Sequence, residues 1–158
     1  MGGDGSRTGE RALPPGVGGA RGGPLSRPAL QRPGEKTTGY AAAVVAAALA
    51  GAEEKVAEHP TALDVSALTS AFDVLVIVSG RSDRQVRTIA EEVERVVARS
   101  AGISPVRVEG VAGGEWIALD YVDVIVHVFQ DEARAYYDLE HLWSAAPAFT
   151  APALRVEQ

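Results

Sequence analysis

A chain of 158 residues has room for one domain, but its composition is not spread evenly over that length. Residues 1–39 hold 11 of the 17 glycines, five of the nine prolines and none of the nine aromatics; they carry a balance of +3, the remainder −9. The absence of cysteine excludes disulfides, thiol nucleophiles and cysteine-ligated zinc, and an acidic domain repels bare nucleic acid while attracting basic proteins, including those that coat RNA.

The first 39 residues bury too little apolar surface to offset their ordering entropy and are expected to be a disordered Gly/Pro/Arg-rich tail. That leaves a folded domain over 40–147 and a flexible C-terminus over 148–158. The apolar stretch 41–52 is too short to span a bilayer. With the Arg-bearing tail before Ala48, Leu49 and Ala50 it imitates a secretory signal, yet the leading region is far too long and alanine dominates where leucine belongs. An organellar transit peptide is the competing reading of the tail, which contains arginine and is poor in acids.

Val44, Val45, Ala48, Leu49, Ala52 and Val56 recur at helical spacing, so 40–58 reads as a helix stopped by Pro60. Strands are predicted over 62–65 and 74–78, the second a β-branched run suited to a buried central position. Asp73 reads as a strand-end residue. Ser82 and Gln85 have the form of a capping box, and Asp83 suits the positive end of a helix dipole. Val86, Ile89, Ala90, Val93, Val96 and Val97 then mark an amphipathic helix ending at Gly102, with Asp83–Arg87 and Glu91–Arg95 as i,i+4 pairs. Three closely connected strands follow between Val106 and Phe129, antiparallel neighbours with a tight turn near Val122. The passage from Val74 through the helix to Val108 asks instead for a parallel, right-handed crossover. The predicted class is α/β, a mixed five-stranded sheet with helices packed on it. A last helix over 131–137, with Leu139, Leu142 and Trp143 as an apolar stripe, closes over the sheet, and the chain frays from Pro147.

Catalytic chemistry finds little support. The turn formed by Ser79, Gly80, Arg81, Ser82 and Arg84, with Arg87 beyond it, has the beginnings of a phosphate cradle, but neither the dinucleotide fingerprint nor the P-loop spacing is present. It stands as the alternative reading, a nucleotide binder or enzyme with a residual nucleotidyltransferase site. An RNA binder using Arg81, Arg84 and Arg87 is a weaker one. No Asp-x-Asp pair offers itself to a metal, and Asp120 and Asp123 straddle a strand break. His127 lies alone among valines, and His59 and His141 lack zinc spacing. No cofactor is expected.

The segment around Glu115, Trp116, Leu119, Asp120 and Tyr121 reads differently: bulky rigid rings beside carboxylates suit an interface that grips a basic partner. Alternation places Trp116, Ala118 and Asp120 on one face and Ile117, Leu119 and Tyr121 on the other. The same residues carry a resemblance. Leu63-Asp64-Val65, the run from Asp73 to Val86, Arg107-Val108-Glu109-Gly110, Gly114-Glu115-Trp116, Leu119-Asp120-Tyr121, the run from Asp123 to Phe129 and that from Tyr137 to Trp143 resemble the ribosomal silencing factor, or Iojap, family over about 40–147. Val74 and Arg81 depart from residues common in that pattern. The resemblance implies a nucleotidyltransferase-like topology without the catalytic carboxylates and a cytoplasmic, noncatalytic repressor of translation. It would bind the large ribosomal subunit through the L-fourteen protein and block joining of the small subunit. Glu115, Trp116, Leu119, Asp120 and Tyr121 are the expected contacts, on an exposed edge and face. Neither a membrane nor a specific nucleic-acid sequence is an expected partner, and a sheet edge is open to pairing with a second copy.

Overall fold

The computed structural model describes residues 39–150; all but the last residue of the predicted tail over 1–39, and residues 151–158, lie outside them. Five strands, β1 (Glu58–Asp64), β2 (Val74–Gly80), β3 (Arg107–Glu109), β4 (Trp116–Asp120) and β5 (Val124–Gln130), form one sheet in the order β1-β2-β5-β4-β3. The mixed sheet is as predicted. β1 is antiparallel to β2, β2 is parallel to β5, and β5, β4 and β3 run antiparallel in turn. The crossover that leaves β2 returns parallel to it, as predicted, but not as its neighbour. It passes over two positions to reach β3, and β5 takes the place beside β2. Both central strands are buried along nearly their whole length, which is why they read as unbroken apolar runs.

Two helices, α1 (Tyr40–Glu54) and α2 (Asp83–Ala101), cover one face of the sheet. α1 is lined with alanine, and Gly51 lets it approach closely, since a Cβ there would lie 3.0 Å from the Glu92 carbonyl oxygen. α2 begins as predicted, the Ser82 hydroxyl accepting from the Gln85 amide, but the reciprocal half of the box is diverted: Gln85 Oε1 accepts from the Arg81 amide. Gly102 closes the helix in the left-handed conformation. Of the two predicted ion pairs, Asp83–Arg87 forms at 3.3 Å. Arg95 turns to Glu92 rather than Glu91, because Glu92 is buried and Glu91 faces solvent.

The first helix ends four residues before the predicted 58, and not at Pro60, which lies inside β1 at a register shift. The stop is a Schellman turn: the Ala57 amide donates to Ala52 and the Val56 amide to Glu53. Val56 occupies the left-handed position at φ 62° with 70% exposure, a conformation costly for a β-branched residue. Val56→Gly is therefore expected to stabilise the fold by about 1 kcal/mol, the relief of that strain outweighing glycine's extra unfolded entropy. A urea midpoint that stays put or falls would refute this.

The opposite face is covered thinly, by the loop 65–73 and two short helices, α3 (Asp131–Tyr137) and α4 (Leu139–Leu142). Phe72, Trp116, Phe129, Leu139, Tyr137 and Trp143 pack there. The frayed end predicted from Pro147 is not observed at its start. Pro147 accepts from the Asp64 amide, Ala148 bridges Leu63, and the Phe149 amide donates to Ala62. Phe149 packs against the helix-covered core, and that burial is what holds the segment along β1.

Candidate functional site

Of the five residues expected to meet a partner, only Glu115 is exposed. Trp116 retains 5% of its accessible surface, Asp120 3%, and Leu119 and Tyr121 none. The exposed edge on which that expectation rested is absent: β4 is an inner strand, paired with β5 on one side and β3 on the other. Alternation did divide the side chains as predicted. Trp116 joins the cluster under α3, while Ile117, Leu119 and Tyr121 join the one under α1 and α2. Both faces are covered, so both sets are core.

Asp120 and Tyr121 build the turn into β5. Asp120 Oδ1 accepts from the Val122 amide at 2.8 Å, Oδ2 lies 3.5 Å from Arg107, and Val122 takes φ 75°. The Tyr40 hydroxyl donates to the Tyr121 carbonyl, tying the start of α1 to this turn. Burial pushes the Tyr121 phenol well above its ordinary range, with Glu94 and Tyr40 adding to the effect. Gly110 sets the hairpin before β4: its φ is 90°, and a Cβ there would fall 2.0 Å from the Trp116 carbonyl oxygen.

The turn after β2 is occupied by the chain itself. The Ser79 hydroxyl donates to the Glu58 carbonyl, Arg81 pairs with Glu58 at 2.9 Å, and the Gln85 amide group donates to Lys55 and Val56. Arg87 reaches over to the carbonyls of Val111 and Ala112. The Arg81 and Gln85 amides that an anion would engage are already bonded, to Gln85 Oε1 and the Ser82 hydroxyl, so the geometry speaks against a phosphate cradle. Among the described residues no three His, Asp or Glu side chains gather as a metal site, and no helix is long and apolar enough to cross a membrane.

The distinctive surface lies on the thin cover. Tyr136 is 63% exposed, Leu142 61% and Leu68 48%. Asp131, Glu132 and Asp138 are exposed on α3 and at its end, and Glu115 just before β4. The cover is fixed from beneath. The Trp116 indole donates to His127 Nδ1 at 2.8 Å and lies 4.5 Å from the Tyr137 ring, which meets Tyr136 edge-on at 5.0 Å. Phe72 and Trp143 meet edge-on at 5.8 Å. Arg134, largely buried, grips Glu140 with two nitrogens and bonds Ser79 and Thr61, tying both short helices to β1 and β2. That grip holds the Glu140 carboxyl below its usual range. Sequence reading saw the apolar stripe of Leu139, Leu142 and Trp143 but missed Tyr136 and Arg134. The signal for Tyr136 was a second ring beside Tyr137, where one ring suffices for a core contact.

A family model described as "Ribosomal silencing factor during starvation" matches residues 38–158. The ribosomal silencing factor RsfS of Halalkalibacterium halodurans is 41% identical over 95 residues, 60% of this chain and 80% of the relative. That of Bacillus subtilis is 40% identical over 100 residues, 63% and 84% of the two chains. A crystal structure of a Chromobacterium violaceum protein superimposes with a TM-score of 0.61 at 37% identity, covering 64% of this chain and 83% of that one. With its mixed sheet and self-filled turn, the chain belongs to the ribosomal silencing factor family of translation regulators.

Proposed function

We propose that the protein is an antiassociation factor of the cytoplasm: it docks on the large ribosomal subunit through the basic L-fourteen protein, and its bulk then keeps the small subunit from joining. Repression of translation under nutrient limitation follows, without catalysis. The observation that best supports a docking role is the exposure of Tyr136, Leu142 and Leu68 on the elements of the thinly covered face, with Asp131, Glu132 and Asp138 exposed near Tyr136 in the chain. Rings and aliphatic groups supply contact area, and these carboxylates steer a cationic partner. The contact surface is thus carried by α3, α4 and Glu115, with Trp116 beneath it, while Leu119 and Tyr121 lie in the core on the other face of the sheet and Asp120 in the turn to β5. For a second copy, the available edge is β3, three residues long; β1 is already partly covered by 147–149.

Sucrose-gradient sedimentation of purified subunits tests this. The protein is expected to travel with large subunits, not small ones, and to reduce the joined particles. A Tyr136→Ala, Leu142→Ala variant is expected to bind more than tenfold more weakly, a loss above about 1.4 kcal/mol, with its urea midpoint nearly unchanged. Full joining of subunits at saturating protein would sink the reading.

A further inference from the structure

His127 accepts the Trp116 indole beneath the cover, and the chemistry of that bond reaches further. It sits at zero exposure in β5, with Ala118 opposite it on β4. A small residue at 118 leaves the space above the imidazole open, and the Trp116 indole crosses into it diagonally from the next cross-strand pair on that face, Trp116 and Phe129. An indole nitrogen only donates, so the bond from Trp116 Nε1 requires an unprotonated Nδ1 on His127 and places the proton of the neutral ring on Nε2. The indole held in this way lies 4.5 Å from Phe129 below and 4.5 Å from Tyr137 above. α3 has seven residues, too few to be stable by itself, so its position is set by what it rests on.

We propose that His127 is a positioning residue of the docking face: its Nδ1 lone pair orients the Trp116 indole, which through Tyr137 sets where Tyr136 stands toward the partner. The effect on subunits rests on the docking reading above; the effect on the indole does not. Removing the acceptor leaves a buried donor unpaired, which a protein interior relieves by moving the group. The ring then turns, and the short helix leaning on it shifts.

Two substitutions separate positioning from mere packing. His127→Phe keeps a ring and removes the acceptor; His127→Asn places an oxygen where Nδ1 stood. Exchange of the Trp116 indole proton, followed by NMR, is expected to accelerate at least tenfold in His127→Phe and to stay near the wild-type rate in His127→Asn. Large-subunit affinity is expected to fall about tenfold in the first and to be largely restored in the second. Trp116→Phe, which removes the donor instead, is expected to lose a similar factor in affinity. Combining it with His127→Phe should add little, as for two halves of one interaction. Equal indole exchange in wild type and His127→Phe, or independent losses in the double variant, would overturn the positioning role. A wild-type protein that binds no large subunit would instead overturn the docking reading, leaving the indole result to stand or fall alone.

Discussion

Trp116→Ala is expected to lower folding stability by about 3–5 kcal/mol, the range for truncating a buried aromatic, and to lower the thermal midpoint by roughly 10 °C or more. The indole is 95% buried among Phe129, Tyr137 and His127, and its nitrogen is spent on His127. The variant loses the packing of the thin face, leaves His127 without its donor and removes the support of α3. Loss of subunit binding is expected as well, but as a consequence of that collapse. The contrast is Tyr136→Ala. With most of its surface already in solvent, it should change stability by no more than about 0.5 kcal/mol while weakening binding. Urea melts of both variants beside their subunit affinities decide the matter. A Trp116→Ala protein of wild-type stability that fails to bind would make Trp116 a direct contact and require the cover to open in the complex.

This reversal shows where sequence reading reaches its limit. Alternation along β4 was read correctly, because a strand's side chains must alternate whatever surrounds it. The inference of an exposed side was not, because exposure depends on what lies over each face, and that is long-range information. A strand ending in Trp, Asp and Tyr looks amphipathic; β3 beside it and helices on both faces make every position interior. The amphipathic helix α2 was legible to its caps, since its period, its Ser82 and its Gly102 are local signals. The end of α1 was not, because a valine stands where a left-handed glycine would announce the turn. Nor was the path from β2 to β3: nothing local in a crossover says how many strands it passes. The segment 147–149 was misread for a related reason, a partner strand some 80 residues earlier being invisible in a Pro- and Ala-rich stretch.

Acid is expected to weaken this fold well before its carboxylates titrate. In the unfolded chain the His127 imidazole takes up a proton near its ordinary value of about 6.5; in the fold, burial pushes it down to about 3. Through that window the unfolded state holds one more proton than the folded state, so stability is full above pH 6.5 and falls with pH until about 3. Between pH 8 and pH 5 the histidine contributes an expected loss of about 2 kcal/mol, opposed toward the acid end by Glu54, whose carboxyl its bond to Glu92 holds above the usual range. Lower still, carboxylates add to it in the same direction: Glu92, held at about 2 chiefly by its bond to Arg95, and Glu140, held low by Arg134. The other two histidines, His59 and His141, lie on the surface. His127→Asn, which keeps an acceptor for Trp116 and cannot titrate, is expected to flatten the profile between pH 8 and pH 5. Urea melts of the two proteins across that range give the answer, and parallel slopes would dismiss His127 as the acid-sensitive group. Because only an unprotonated Nδ1 can accept the indole proton, the same experiment gauges how firmly the fold holds the neutral ring on which the Trp116 bond depends.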